Sequence, residues 1–163
     1  MDLINFLVLA IALGLLISPL LLLGRNRKKR EKKMLQLVAD IAQKHDSIIV
    51  HHDFCGDFVI GFDNIKSFVF FYKKDEDKEL EQYVNLADFQ KCTIINVGKS
   101  VVNNNGNYKV IDLLALNFVP HLKTKHEVRF EFYNAEKNSQ ISGELQLLEK
   151  WSKMINDHLK NMK

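Results

Sequence analysis

His51, Asp53 and Cys55 recur at every second position, with His52 between the first two. Imidazole, carboxylate and thiolate are all metal ligands, and an imidazole beside a carboxylate is also the raw material of proton transfer. Spacing limits the first chemistry. Alternate residues of a strand share a face but stand about 6.6–7 Å apart, so three on one strand converge poorly on a single ion. Tetrahedral sites draw their ligands from more than one element. The expectation is therefore an exposed strand face running into a turn, with no metal bound and no cofactor.

The other reactive side chains form no constellation. His121 and His126 flank a lysine-bearing turn, His45 closes a helix where the macrodipole favours a cation, and His158 stands on the last helix with no visible partner. Asp75, Glu76 and Asp77 lie in a charged run, where no burial tunes them for catalysis. Cys55 and Cys92 are too few for a disulfide framework, and their spacing is no metal motif. The chain contains no G-x-S-x-G, P-loop, G-x-G-x-x-G or H-E-x-x-H. It is expected not to be an enzyme.

Short strands must position these residues. From Ser47 the apolar period is two: Ile48, Val50, His52 and Phe54, then after Gly56-Asp57 the set Phe58, Ile60 and Phe62. SFVFFYK (67–73) is a third strand, and the charge-dense KKDEDKELEQ (73–82) reads as a solvated loop. Tyr83–Leu86, residues 90–97 and residues 108–119 follow, with residues 98–107 read as a loop on the strength of Asn103-Asn104-Asn105-Gly106. EVRFEFY (127–133) alternates, with Val128, Phe130 and Phe132 inward and Tyr133 outward. The period then becomes helical. Ser142 reads as an N-cap, and Leu145, Leu148, Trp151, Ile155 and Leu159 trace one face.

Ahead of the strands lies a different kind of segment. Residues 3–23, LINFLVLAIALGLLISPLLLL, are unbroken by charge. As a helix they reach about 31 Å, against a hydrocarbon core of about 30 Å. Arg25, Arg27, Lys28, Lys29, Arg30, Lys32 and Lys33 follow, and only Met1 and Asp2 precede. Basic residues beside a span stay cytoplasmic. A cleaved signal needs a basic start, a shorter apolar stretch and a small-residue cleavage site, which this segment lacks. The reading is a transmembrane anchor over 1–24, a basic juxtamembrane stalk helix over 25–45 and a cytoplasmic domain over 46–163. The protein is expected in the inner, cytoplasmic membrane, single-pass, with its N-terminus outside.

Charge also narrows the partners. The chain has 23 basic and 20 acidic residues, net +3. Without the seven bases and one acid of residues 25–33, and without Asp2, 16 basic face 18 acidic residues. The basic excess therefore belongs to the stalk, which excludes the self-basic domain expected of a nucleic-acid binder. Eleven phenylalanines, with only seven glycines and two prolines, supply one compact core.

Seven antiparallel strands followed by an amphipathic helix with a central tryptophan define an α+β class, a barrel or sandwich capped by the helix. FVIGFD (58–63), SFVFFY (67–72), YVNLADFQKCTII (83–95), EVRFEF (127–132) and LQLLEKWSKMI (145–155) in this order resemble the pleckstrin-homology-like (PH-like) superfold, in particular its membrane-anchored bacterial members. The resemblance implies two bent sheets plugged by the C-terminal helix. Its phosphoinositide-binding members carry a basic pair on the first hairpin. The hairpin His51–Phe58 has no lysine or arginine, so no head-group recognition is expected there.

The expected function is a membrane-tethered, non-catalytic module that captures a protein or peptide along an open sheet edge or in a groove beside the last helix. The alternative is recognition of anionic lipid by Arg25–Lys33, helped by loop lysines such as Lys99, Lys123 and Lys125. A further alternative is an enzyme whose site carries no known motif.

Overall fold

The computed structural model describes residues 27–75, 78–103, 106–122, 126–138 and 140–162. The anchor over 1–24, Arg25, and the loop lysines Lys123 and Lys125 lie outside the described residues. Among the described residues no helix is long and apolar enough to cross a membrane.

A helix, α1, runs over residues 27–43. The chain divides into two compact units, Met1–Gln36 and Leu37–Lys163. In the first, Arg27, Lys28, Lys29, Arg30, Lys32 and Lys33 are all exposed, and Arg27 pairs with Glu31 one turn on at 2.8 Å.

The second unit holds two antiparallel sheets. Strands β1 (His51–Cys55), β2 (Phe58–Asp63), β3 (Phe68–Asp75) and β4 (Lys78–Asn85) form one in the order β1-β2-β3-β4. A 3₁₀ turn over Leu86–Asp88 leads into β5 (Phe89–Asn103), β6 (Gly106–Pro120) and β7 (Val128–Asn134), the other sheet, in that order. Helix α2 (Glu144–Asn161) closes the chain. The α+β class, the two antiparallel sheets and the C-terminal helix agree with the sequence reading.

Inward faces meet in one core. Phe58, Ile60, Phe62, Val69 and Phe71 face Leu114, Leu116, Phe118, Phe130 and Phe132, and α2 adds Leu148, Trp151, Ile155 and Leu159. The aromatic rings interlock, with Phe71 5.0 Å from Phe130 and Phe58 4.6 Å from Phe132, distances at which rings attract beyond their burial. α2 is amphipathic as its period predicts. Its first residue is Glu144, and Gly143, at φ 112, takes the N-cap place read for Ser142. The Ser142 backbone N–H donates to the Glu144 carboxylate instead.

Several local expectations change. Every residue of β2 is buried, not only alternate ones. Val59, Phe70 and Tyr72 lie on the face away from the core, and the domain's own N-terminal segment accompanies them: Val38, Ile41 and Ala42 are buried, and His45 rests 5.5 Å from Phe68 and 4.0 Å from Tyr83. A Cβ on Gly61 would stand 2.9 Å from the Ile49 side chain, so a hydrogen there admits this cover.

Residues 73–75 and 78–82 of the charged run belong to β3 and β4, paired from Phe68↔Asn85 out to Asp75↔Lys78, and Glu76 and Asp77 lie outside the described residues. β4 is an edge strand whose Lys78, Glu79 and Glu81 are exposed, and charge on an edge deters unwanted pairing. β5 and β6 likewise extend through most of 98–107. A bulge at Val97/Gly98 carries the ladder on, with the Gly98 backbone so close that a Cβ would sit 2.4 Å from the Val110 carbonyl oxygen. A second irregularity opposite Leu114/Ala115 turns both Phe132 and Tyr133 into the core, which is why Tyr133 is not outward.

Candidate functional site

Register places the sequence candidates. His51, Asp53 and Cys55 lie opposite Phe62, Ile60 and Phe58, so their face is the core side of the sheet at its β1 edge, toward α2. The expectation of a simple exposed face changes for Asp53, whose Oδ2 accepts from the Trp151 indole Nε1–H at 2.8 Å and from the Lys150 ammonium. Cys55 packs against the core, and its Sγ lies 4.0 Å from the Ser142 carbonyl oxygen, which accepts from it. Only His51 remains exposed. Among the described residues no group of three or more His, Cys, Asp or Glu side chains is arranged to hold a metal ion.

A groove of about 490 Å³ opens beside this strand, between the start of β1, the β2–β3 turn and the C-terminal half of α2. Phe62 and Met154 give it apolar lining, and Lys150, Lys153, His51 and His158 give it polar lining. His158 does have a partner: its Nε2 lies 2.8 Å from the Ser67 hydroxyl, and its ring meets Phe62 edge-on at 5.0 Å.

The other flank of α2 faces β5, the element it touches most, and here the helix treats the sheet edge as a strand would. The Asn156 carboxamide accepts from the Cys92 backbone N–H at 3.0 Å and donates to the Cys92 carbonyl at 2.7 Å. The Asn156 carboxamide also donates to the Ser152 carbonyl at 2.8 Å. Both backbone groups of Cys92 thus point away from β6. In an antiparallel ladder this orientation repeats every second residue. Ile94 and Asn96, before the bulge, therefore present their N–H and C=O groups outward, and among the described residues no α2 side chain hydrogen-bonds to them. Ile94 is 39 % and Val97 50 % exposed, which makes this edge apolar as well as open. The Cys92 thiol itself is buried, and burial pushes it up to about 12.

Asn156 and Ser152 are absent from the sequence candidates. Their signal is a polar pair at i, i+4 between the buried Trp151 and Ile155, inside an otherwise apolar stripe. Lys73 is likewise legible by parity, since it follows Val69 and Phe71 on the inward face of β3. Its side chain is 2 % exposed, and its ammonium lies 3.5 Å from Glu131 Oε1 and 4.0 Å from Asp57 Oδ2. Lys137 extends this network to Asp75 and Glu131, and its hydrogen bond holds the Asp75 carboxyl below the ordinary carboxylate range. These charges fasten β3 to β7. No family model, curated protein or solved structure matches the chain.

Proposed function

We propose that this is a single-pass inner-membrane protein whose PH-like cytoplasmic head is a non-catalytic binding module, adding an extended peptide or protein segment to the β5 edge beside α2. The observation that carries the reading is the Asn156 carboxamide on Cys92: one side chain satisfies the edge where the helix reaches it, and ladder parity turns the next outward groups, at Ile94 and Asn96, to the same edge, where no hydrogen bond meets them among the described residues. A captured strand gains main-chain hydrogen bonds there, and pockets for alternate side chains give it register. The apolar run 3–23 and the exposed bases that follow support the anchor, and tethering raises the head's effective concentration for membrane-bound partners. The order of four strands, three strands and a helix supports the PH-like assignment.

The test uses the full-length protein in its membrane, with a photo-crosslinking residue at Lys91 and the substitution Asn96→Pro. Proline removes one outward N–H and leaves the ladder with β6 intact. The expected outcome is a discrete crosslinked partner that Asn96→Pro abolishes while the fold persists. Crosslinking indifferent to that substitution sinks the β5 assignment, and full function of residues 25–163 alone sinks the tether.

The second reading is anionic-lipid recognition by Arg25–Lys33, favoured by the exposure of all six described bases of the cluster. Liposome flotation distinguishes the two, since retention that ignores lipid charge counts against it. No catalytic residue is assigned: Asp53, the carboxylate beside the groove, is already committed to two donors.

A further inference from the structure

The β1–α2 groove stands apart from the β5 edge, on the opposite flank of the same helix. Its donors are uneven in their commitments. Lys150 is held by Asp53 and His158 by Ser67. Lys153, Asn64 and Asn161, by contrast, line the groove with side chains that make no hydrogen bond or ion pair among the described residues, and the His51 ring makes only a stacking contact, 6.5 Å from Phe62. One ammonium, two carboxamides and one imidazole, drawn from β1, the β2–β3 turn and two turns of α2, thus meet over an apolar floor of Phe62 and Met154. The single carboxylate of the lining, Asp157, is partly offset by Lys160 at 3.4 Å. Unspent donors around one cationic head are complementary to an oxyanion, and the floor beneath them is complementary to an apolar body.

We propose that this groove is a binding site for a small amphiphilic oxyanion, a phosphate or carboxylate group on an apolar body. The anion is held by Lys153 with Asn64, Asn161 and His51, and the body lies against Phe62 and Met154. The site is at the end of the domain opposite the β1–β2 turn, and so is independent of any head-group contact at the first hairpin.

Phenyl phosphate is the probe. Full-length protein in neutral-detergent micelles is titrated while the His51 ring and Met154 methyl resonances are followed. The expected result is a saturable shift of both, with Lys153→Gln weakening binding at least about tenfold, the loss of one charge-assisted contact. Asp157→Asn tightens binding, because the carboxylate it removes opposes the ligand. Short-chain phosphatidic acid, run in parallel, identifies the source of the anion: tighter binding than phenyl phosphate assigns it to a lipid, weaker binding to a free metabolite. Both keep the site. Equal shifts at all six histidines, equal binding of neutral benzyl alcohol, or indifference to Lys153→Gln overturns the proposal.

Discussion

The indole N–H of Trp151 donates to the Asp53 carboxylate across 98 residues of sequence, at 2.8 Å, and joins the centre of α2 to the edge strand β1. Trp151 is wholly buried, so its N–H has no recourse to water once Asp53 is removed. An unsatisfied buried donor costs about 1–3 kcal/mol, whereas removing donor and acceptor together is far cheaper. Asp53→Ala is therefore expected to lower stability by about 2 kcal/mol. The double variant Asp53→Ala, Trp151→Phe should cost less than its two parts combined. A double-mutant cycle by urea denaturation measures this, and strict additivity refutes the coupling.

Lys73 makes a second prediction. Two half-exposed carboxylates neutralise a cation that is itself buried. Stripping the partners leaves a fully buried charge uncompensated, a change worth about 3–5 kcal/mol, while removing the cation leaves only carboxylates that keep contact with water. The double variant Asp57→Asn, Glu131→Gln should thus destabilise by about 3 kcal/mol, and Lys73→Met by less than about 1 kcal/mol. Chemical denaturation at pH 7 ranks them, and the reverse order removes the argument.

How much of this was legible varies with distance along the chain. The period of two in β1 and β2, and the 3.6 period of α2, follow from which side chains must leave water, so the strands and the closing helix could be read directly. The pairing of β3 with β4 could not, because β4 buries little beyond Val84 and offers no alternation to find. The double burial of β2 escaped for the opposite reason: its outer cover comes from residues 37–49, and nothing local announces it. Trp151–Asp53 and Asn156–Cys92 join residues 98 and 64 apart, which only the packed fold brings together.

Asp63 gives the pH dependence. Its carboxylate is buried, and burial alone would raise its pKa. Backbone N–H donors from Lys66, Ile48 and Ile65 outweigh that and hold it below the ordinary carboxylate value. A depressed folded pKa contributes stability that is present above the unfolded value, about 3.9, and is lost as pH falls through the folded one. Asp63→Asn is expected to be less stable than the parent at pH 7. That gap should close as the pH falls below about 4, and urea midpoints taken between pH 7 and 2.5 follow it. A gap that does not vary with pH contradicts the assignment.

The two thiols should part company in reactivity. At pH 8 a thiol pushed up to about 12 holds roughly a thousandfold less thiolate than an ordinary one near 8.5. Cys92 is also out of reach of reagent, while Cys55 is half-exposed. Iodoacetamide at pH 8 is expected to modify Cys55 in the folded protein and Cys92 only after denaturation, as read by peptide mass. Equal labelling of both in the native state is the contrary outcome.

Asn156 allows the sharpest test of how α2 seats on β5, because its two ends do opposite jobs. Oδ1 accepts from the Cys92 N–H, and Nδ2 donates to the Cys92 and Ser152 carbonyls. Asn156→Ala leaves the Cys92 N–H without its partner and the Cys92 carbonyl with only the Ser152 hydroxyl at 3.5 Å, and should cost about 2 kcal/mol. Asn156→Asp keeps the acceptor but sets an anion against two carbonyl oxygens, so at pH 7 it is expected to cost at least as much. The sign then follows from linkage. Carbonyl neighbours disfavour the charged carboxyl, its folded pKa rises above about 3.9, and protonation restores a donor. Relative to the parent, Asn156→Asp should therefore recover stability as pH falls through that raised value, and Asn156→Ala should not. Parallel behaviour of the two variants from pH 7 to 4 means that the helix rests on β5 by apolar contact alone, and the carboxamide does not act as a strand.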